Sequence, residues 1–162
     1  MGRVALVTGG TRGIGRAITE RLTHAGVAVA AAYARDDVAA HAVHDQASRC
    51  GATVTVHQAD VGEPTSCQRL VAEVLDQHGR LDYLVNNAGM VNEQRLSDVS
   101  PEDWHRQVAV NLSSAFFLSQ AALAHMTQQR FGRVVNIGSV TALLGSPVQI
   151  AYGAAKGGIV GL

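Results

Sequence analysis

Tyr152 and Lys156 stand four residues apart, the spacing at which two side chains share one face of a helix. A phenol of ordinary pKa about 10 is a poor proton donor or acceptor near neutrality unless its anion is stabilised, and an adjacent ammonium stabilises it. Ser139 precedes the tyrosine by thirteen residues, at the end of an apolar run, where its hydroxyl could hydrogen-bond a substrate carbonyl. Asn111 lies in Val110-Asn111-Leu112-Ser113-Ser114, within a long helical pattern. Asparagine is a mediocre helix former, so its place there invites a reason. For each residue there is a bland reading: a half-buried aromatic at 152, a helix or turn cap at 139.

A second constellation opens the chain, Thr8-Gly9-Gly10-Thr11-Arg12-Gly13-Ile14-Gly15. A turn off a buried strand needs glycine's conformational freedom at Gly9. A diphosphate close to the backbone needs a missing side chain at Gly13, and tight helix–strand packing needs one at Gly15. The following helix start then offers unpaired N–H groups to the anion. The spacing is Gly-xxx-Gly-x-Gly, not Gly-x-Gly-xx-Gly, and a glycine-rich turn that binds nothing is the competing reading. Past the second strand come Tyr33-Ala34-Arg35, with Arg12 in the loop. An acid there would suit a ribose hydroxyl, whereas two guanidiniums suit a 2′-phosphate. NADP(H) is therefore preferred over NAD(H), with Asp36 and Asp37 close enough to weaken the choice if the strand ends elsewhere.

These groups need a scaffold. Short apolar strands are expected at residues 3–8, 27–33, 53–57, 81–85 and 133–137. Helices are expected at about 14–24, 38–50, 64–79 and 100–129, with a last one begun by Tyr152. Ser100-Pro101-Glu102-Asp103 is a strong helix start: a cap, a first-turn proline and acids facing the dipole. Strands buried on both faces and alternating with helices imply an α/β fold, a Rossmann-like doubly wound parallel sheet in three α/β/α layers. The whole chain reads as one nucleotide-binding domain whose second half lacks its third strand.

Taken in order, the glycine loop, Asn86-Asn87-Ala88-Gly89, Ser139 and Tyr152-xxx-Lys156 resemble the short-chain dehydrogenase/reductase family in its compact single-domain branch. The resemblance implies an oxidoreductase in which hydride passes between a nicotinamide and a carbonyl carbon while Tyr152 supplies the proton to oxygen. Ser139 would hold the carbonyl, Lys156 would also bind the nicotinamide ribose, and Asn111 would hold a water in a proton relay. Asp60-Val61 matches the pair that meets adenine, and Asn87, Ala88 and Gly89 would line the cofactor cleft. Within the family the chain looks most like 3-oxoacyl-carrier-protein reductases and acetoacetyl-CoA-reducing relatives. That implies a ketone or acyl thioester substrate, with acyl carrier protein or CoA as its handle and Arg130 either as a basic contact or as a helix C-terminal cation answering the dipole. Met90-Val91-Asn92-Glu93 and Ala151 depart from the commonest reductase pattern, which puts acyl specificity in question. A homotetramer is expected for full-length members. These continue for several dozen residues beyond position 162, so the present chain is expected to be poorly active, aggregation-prone, or both. The competing class is a dinucleotide-binding sensor, against which the intact Asn111, Ser139, Tyr152 and Lys156 argue.

Composition sets outer bounds. The 162 residues suffice for one domain, and 47% apolar with 16% charged residues is a core-forming mixture. Thirteen basic residues balance thirteen acidic ones without a basic block, which disfavours nucleic acid. The first apolar run begins at Val4, leaving no room for a signal peptide, and no stretch is expected to span a bilayer, so a cytoplasmic protein is expected. Cys50 and Cys67 are isolated, and no metal site is expected among the scattered histidines.

Overall fold

The computed structural model describes residues 2–162. Five strands form one parallel sheet in the order β3-β2-β1-β4-β5: β1 (Val4–Thr8), β2 (Ala28–Tyr33), β3 (Val54–Gln58), β4 (Tyr83–Asn86) and β5 (Arg133–Asn136). The alternation of side chains along β1 sorts the core into two layers. Val4 and Leu6 join Leu70, Val71 and Val74 of α3 (Pro64–His78) and Leu118 and Ala122 of α5 (Ser114–Gln128) on one face. Ala5 and Val7 face the other way, onto Ile18 and Leu22 of α1 (Gly13–His24) and Val43 of α2 (Asp37–Arg49). The small residues of Ala28–Tyr33 let helices approach on both sides, and the expected doubly wound architecture is what forms.

The long helix of the sequence reading is interrupted. α4 (Pro101–Val108), started by Ser100 Oγ accepting from Asp103 N at 3.1 Å, runs into one π-turn at Ala109–Ser113 before α5 continues. Asn111 sits in this widened turn, and π-turns concentrate at functional sites. Two short elements were not anticipated, a 3₁₀ turn at Leu96–Asp98 and the helix α6 (Thr141–Leu144). Their residues carry no long periodic pattern. α7 (Ile150–Gly161) starts two residues before Tyr152 and lies against α4, α6 and the π-turn. One expectation needs correcting: the Pro101–Gln128 run is, by length and composition alone, long and apolar enough to cross a membrane. Gln107, Asn111 and Ser114 are buried in the helix's packed face.

Candidate active site

The loop after β1 takes the shape its glycines permit. Gly9 and Gly13 have φ of +63° and +52°. A Cβ on Gly15 would lie 2.0 Å from Gly9 O, whereas one on Gly13 would meet nothing within 4 Å, so Gly13 faces open space. No side chain caps α1 and no acid occupies its first turn. Its first backbone bond runs from Arg16 N to Arg12 O at 3.0 Å, so the N–H groups of Gly13, Ile14 and Gly15 have no partner within the helix. Together with the dipole they suit an anion.

A cleft of about 650 Å³ opens at this loop along the C-terminal ends of the strands. Gly9, Thr11, Arg12, Gly13, Ile14, Gly15, Tyr33, Arg35, Asp60, Val61, Asn87, Ala88 and Gly89 all line it. Arg12 and Arg35 are exposed, and neither has an ion-pair partner among the described residues. The acids beside Arg35 are engaged elsewhere. Asp36 accepts from Ala39 N at 2.9 Å as the cap of α2, and Asp37 takes the hydroxyl of Tyr33, raising that phenol's pKa. At the far side, Arg106 Nη2 lies 2.9 Å from each oxygen of Asp60, and Gly62 N donates to the same carboxylate at 2.9 Å. Burial alone would raise the Asp60 pKa, but these donors outweigh it and hold the carboxyl below its usual range. Arg106 also lines the cleft and was missed in the sequence, where a single arginine on a polar helix turn looks like any solvated charge.

The cleft walls are braced from β1. The buried Thr8 hydroxyl accepts from Asn87 N at 3.0 Å and Ala88 N at 2.9 Å, and Asn87 Nδ2 donates to Thr8 O at 2.8 Å. Thr8 was not singled out from sequence, since one threonine ending a strand carries no signal of its own.

Ser139, Asn111, Tyr152 and Lys156 are not among its lining residues; Asn111 meets the cleft at Met90, and Lys156 reaches Ile137 O just past β5. Asn111 Nδ2 donates to Met90 O and Gln107 O at 2.9 Å each, and Met90 N returns a bond to Asn111 Oδ1 at 3.0 Å. Both amide donors are thus committed, and the side chain ties the cleft's Met90 to the π-turn. Lys156, the only lysine in the chain, is 4% exposed, and its ammonium donates to Ile137 O at 2.6 Å. Burial pulls its pKa below the ordinary value, with no carboxylate to offset the loss of water. The ammonium lies 5.8 Å from the centre of the Tyr152 ring. Ser139 Oγ is 2.8 Å from Thr141 Oγ1 and accepts from Thr141 N at 3.3 Å, so the turn-capping geometry exists. Either hydroxyl can donate in that pair, and when Thr141 does, the Ser139 hydrogen is free for another oxygen. A Cβ on Gly153, next to Tyr152, would sit 3.4 Å from Thr141 O, which sets the serine's turn against the tyrosine's helix.

Comparison with known proteins places this geometry in context. A family model described as short chain dehydrogenase matches residues 3–162. The chain is 38% identical over 159 residues to a 3-oxoacyl-(acyl-carrier-protein) reductase of Synechocystis sp., a match covering 98% of this chain and 64% of that protein. It is also 38% identical to a D-beta-hydroxybutyrate dehydrogenase of Rhizobium meliloti, covering 100% of this chain and 63% of the relative. A solved putative short-chain alcohol dehydrogenase from Sinorhizobium meliloti superposes with a TM-score of 0.94 at 36% identity, covering 99% of this chain and 63% of that one. The chain therefore spans a little under two thirds of the length of these relatives.

Proposed function

This chain belongs to the short-chain dehydrogenase family, and from that premise we propose that it is an NADP(H)-dependent oxidoreductase that reduces a ketone, of the 3-oxoacyl thioester class, to a hydroxyl. The observation that carries the reading is the uncapped start of α1 facing an open cleft across Gly13, continued toward a buried Lys156 one turn from Tyr152. A bound nicotinamide dinucleotide would supply the hydride. The residues fit such a group: unpaired N–H groups for its pyrophosphate, the free guanidiniums of Arg12 and Arg35 for a 2′-phosphate, and Asp60 with Val61 for adenine.

The protein's own share is orientation and proton transfer. Ser139, held by Thr141, donates its hydroxyl hydrogen to the substrate carbonyl oxygen. Tyr152 gives that oxygen its proton as the carbon is reduced. Lys156 sustains the resulting phenolate electrostatically, and its anchorage to Ile137 O keeps the ammonium at that distance. Asn111 fixes the wall of the site through Met90, and a relay water would be received by oxygen there, both amide hydrogens being spent. The acyl thioester class is favoured by the reductase relatives and by their carrier-protein substrate name. Arg130 is proposed as a contact to an acidic carrier.

The test is NADPH oxidation with an acetoacetyl thioester, run beside NADPH binding followed by cofactor fluorescence. Turnover should fall by about 100-fold or more in Tyr152→Phe while binding persists, the usual scale for losing a general acid. Binding without turnover in the unaltered protein, retained unchanged by Tyr152→Phe, would favour a dinucleotide sensor instead.

A further inference from the structure

β3 is an outermost strand, paired only with β2. Its Thr55 and His57 stand opposite Ala30 and Ala32 of β2, whose side chains belong to the core layer under α3. The Thr55 hydroxyl lies 2.9 Å from Nε2 of His57 and also 2.9 Å from Nε2 of His78, the last residue of α3. His57 is buried, and its other nitrogen, Nδ1, lies 3.5 Å from Glu73 Oε2 on α3. One hydroxyl therefore joins two imidazoles, one from the strand and one from the end of the helix.

A hydroxyl has a single hydrogen to give. With both rings neutral, it donates to one Nε2 and accepts an N–H from the other. Glu73 sets the direction: a hydrogen on His57 Nδ1 faces the carboxylate, which leaves His57 Nε2 to accept and His78 Nε2 to donate. With one ring protonated every group is still satisfied, because the imidazolium donates to Thr55 Oγ and the neutral ring accepts. With both protonated, two N–H groups point at one oxygen and the hydroxyl hydrogen has no acceptor. Two cations then flank the same atom.

The surroundings do little to offset that second charge. Glu73 already holds Arg69, whose Nη1 lies 2.5 Å from its Oε1 and whose Nη2 donates to Gln58 O at 3.4 Å. β2 contributes alanines at the facing positions, and α2 brings His44, with Nδ1 2.8 Å from Val54 O, which adds no negative charge. Burial lowers the pKa of His57 more than Glu73 raises it. Burial also lowers that of His78, and His57 pushes it down further.

We propose that the seam between β3 and α3 is a proton-operated clasp: the Thr55 hydroxyl holds His57 and His78 together while at least one ring is neutral, and lets go when both are charged. An opened or unfolded chain binds these protons more firmly than the closed one. The clasp's contribution is therefore full above the ordinary value of 6.5 and is lost as pH falls through the lower folded values. β3 leads directly to Asp60 and Val61 in the cleft, so acid opening reaches one of its walls. The inference itself needs no ligand in that cleft.

Native-state hydrogen exchange, corrected for intrinsic rates, tests it in the unaltered protein and in His57→Gln and His78→Gln. Glutamine donates and accepts as imidazole does but does not titrate. Between pH about 7 and about 5, the amides of β3 should gain about tenfold in exchange rate relative to those of β1, the scale of one hydroxyl left without an acceptor. Either single variant should abolish nearly all of that gain, since one titrating ring never exhausts the hydroxyl. Two independent histidines would instead each account for about half of it, and that result overturns the clasp. A β3 to β1 ratio indifferent to pH overturns it too. Should a variant fail to fold, the two imidazole titrations in the unaltered protein decide by themselves. Two separated steps, the second below 6.5, support the clasp, and coincident midpoints near 6.5 refute it.

Discussion

At the scale of single residues, the proposed chemistry turns on one buried amine. Lys156 has a backbone carbonyl and an aromatic ring for company and no carboxylate. Its folded-state pKa lies below its value in the unfolded chain, because burial penalises the charged form. For a cation this sign means that the unfolded state holds its proton more firmly, so the ammonium's cost to the fold is full below the folded pKa. The cost disappears as pH rises through that value toward the ordinary 10.5. Lys156→Met should therefore raise the thermal midpoint near neutral pH while removing turnover, with the stability gain shrinking as pH rises toward the ordinary 10.5. Because the chain has no other lysine, a lysine-labelled sample gives one side-chain resonance, and its titration midpoint should fall below the free value. A midpoint at or above it would contradict the account. The spacing of Tyr152 and Lys156 was legible in the sequence. The role of Ile137 O was not, because a backbone acceptor leaves no mark on residue type.

Individual elements show where local rules gave way. α5 ends in a two-bond left-handed cap, with Phe131 N bonded to Met126 O and Arg130 N to Thr127 O, both at 3.1 Å. The position that turns left-handed holds Arg130, at φ +53°, the only non-glycine with positive φ among the described residues. Arginine there costs about 1 kcal/mol relative to glycine. Arg130→Gly should stabilise the protein by that amount in urea unfolding, and, if Arg130 meets an acidic carrier, should weaken use of a carrier-linked substrate without affecting a CoA-linked one. A loss of stability would contradict the reading of the cap. The strands were placed within a residue or two, since short Val- and Ala-rich runs between turn residues leave a strong compositional trace. The π-turn at Ala109–Ser113 was visible only as an oddly placed asparagine. α6 escaped notice because four residues are too few for periodicity to register.

For the whole molecule, the sheet divides into a well-covered half and a bare flank. β1 and β2 are buried on both faces, whereas β5 pairs only with β4 and leaves Val134 and Val135 exposed at 44% and 49%. Leu143 and Leu144 of α6 are more exposed still. An outermost strand with apolar side chains is a pairing hazard. Concentration-dependent association of the 162-residue chain taken by itself should appear in sedimentation velocity and should decrease in Val135→Lys, with folding stability altered by no more than about 0.5 kcal/mol. A monomer at every concentration would contradict this. The doubly wound architecture and the glycine loop after β1 followed from the alternation of runs and glycines. The link from Asp60 through Arg106 to the π-turn did not, because it joins residues 46 positions apart in sequence.

The central claim is that one cleft seats a dinucleotide with its reactive end toward Tyr152. The most direct measurement is a crystal structure with NADP⁺ bound. The pyrophosphate should rest on the N–H groups at the start of α1, the 2′-phosphate between Arg12 and Arg35, and the nicotinamide ribose within hydrogen-bonding reach of Lys156. A dinucleotide bound elsewhere, or a Tyr152 hydroxyl turned away from the nicotinamide, would contradict the proposed reaction and leave only a nucleotide cradle.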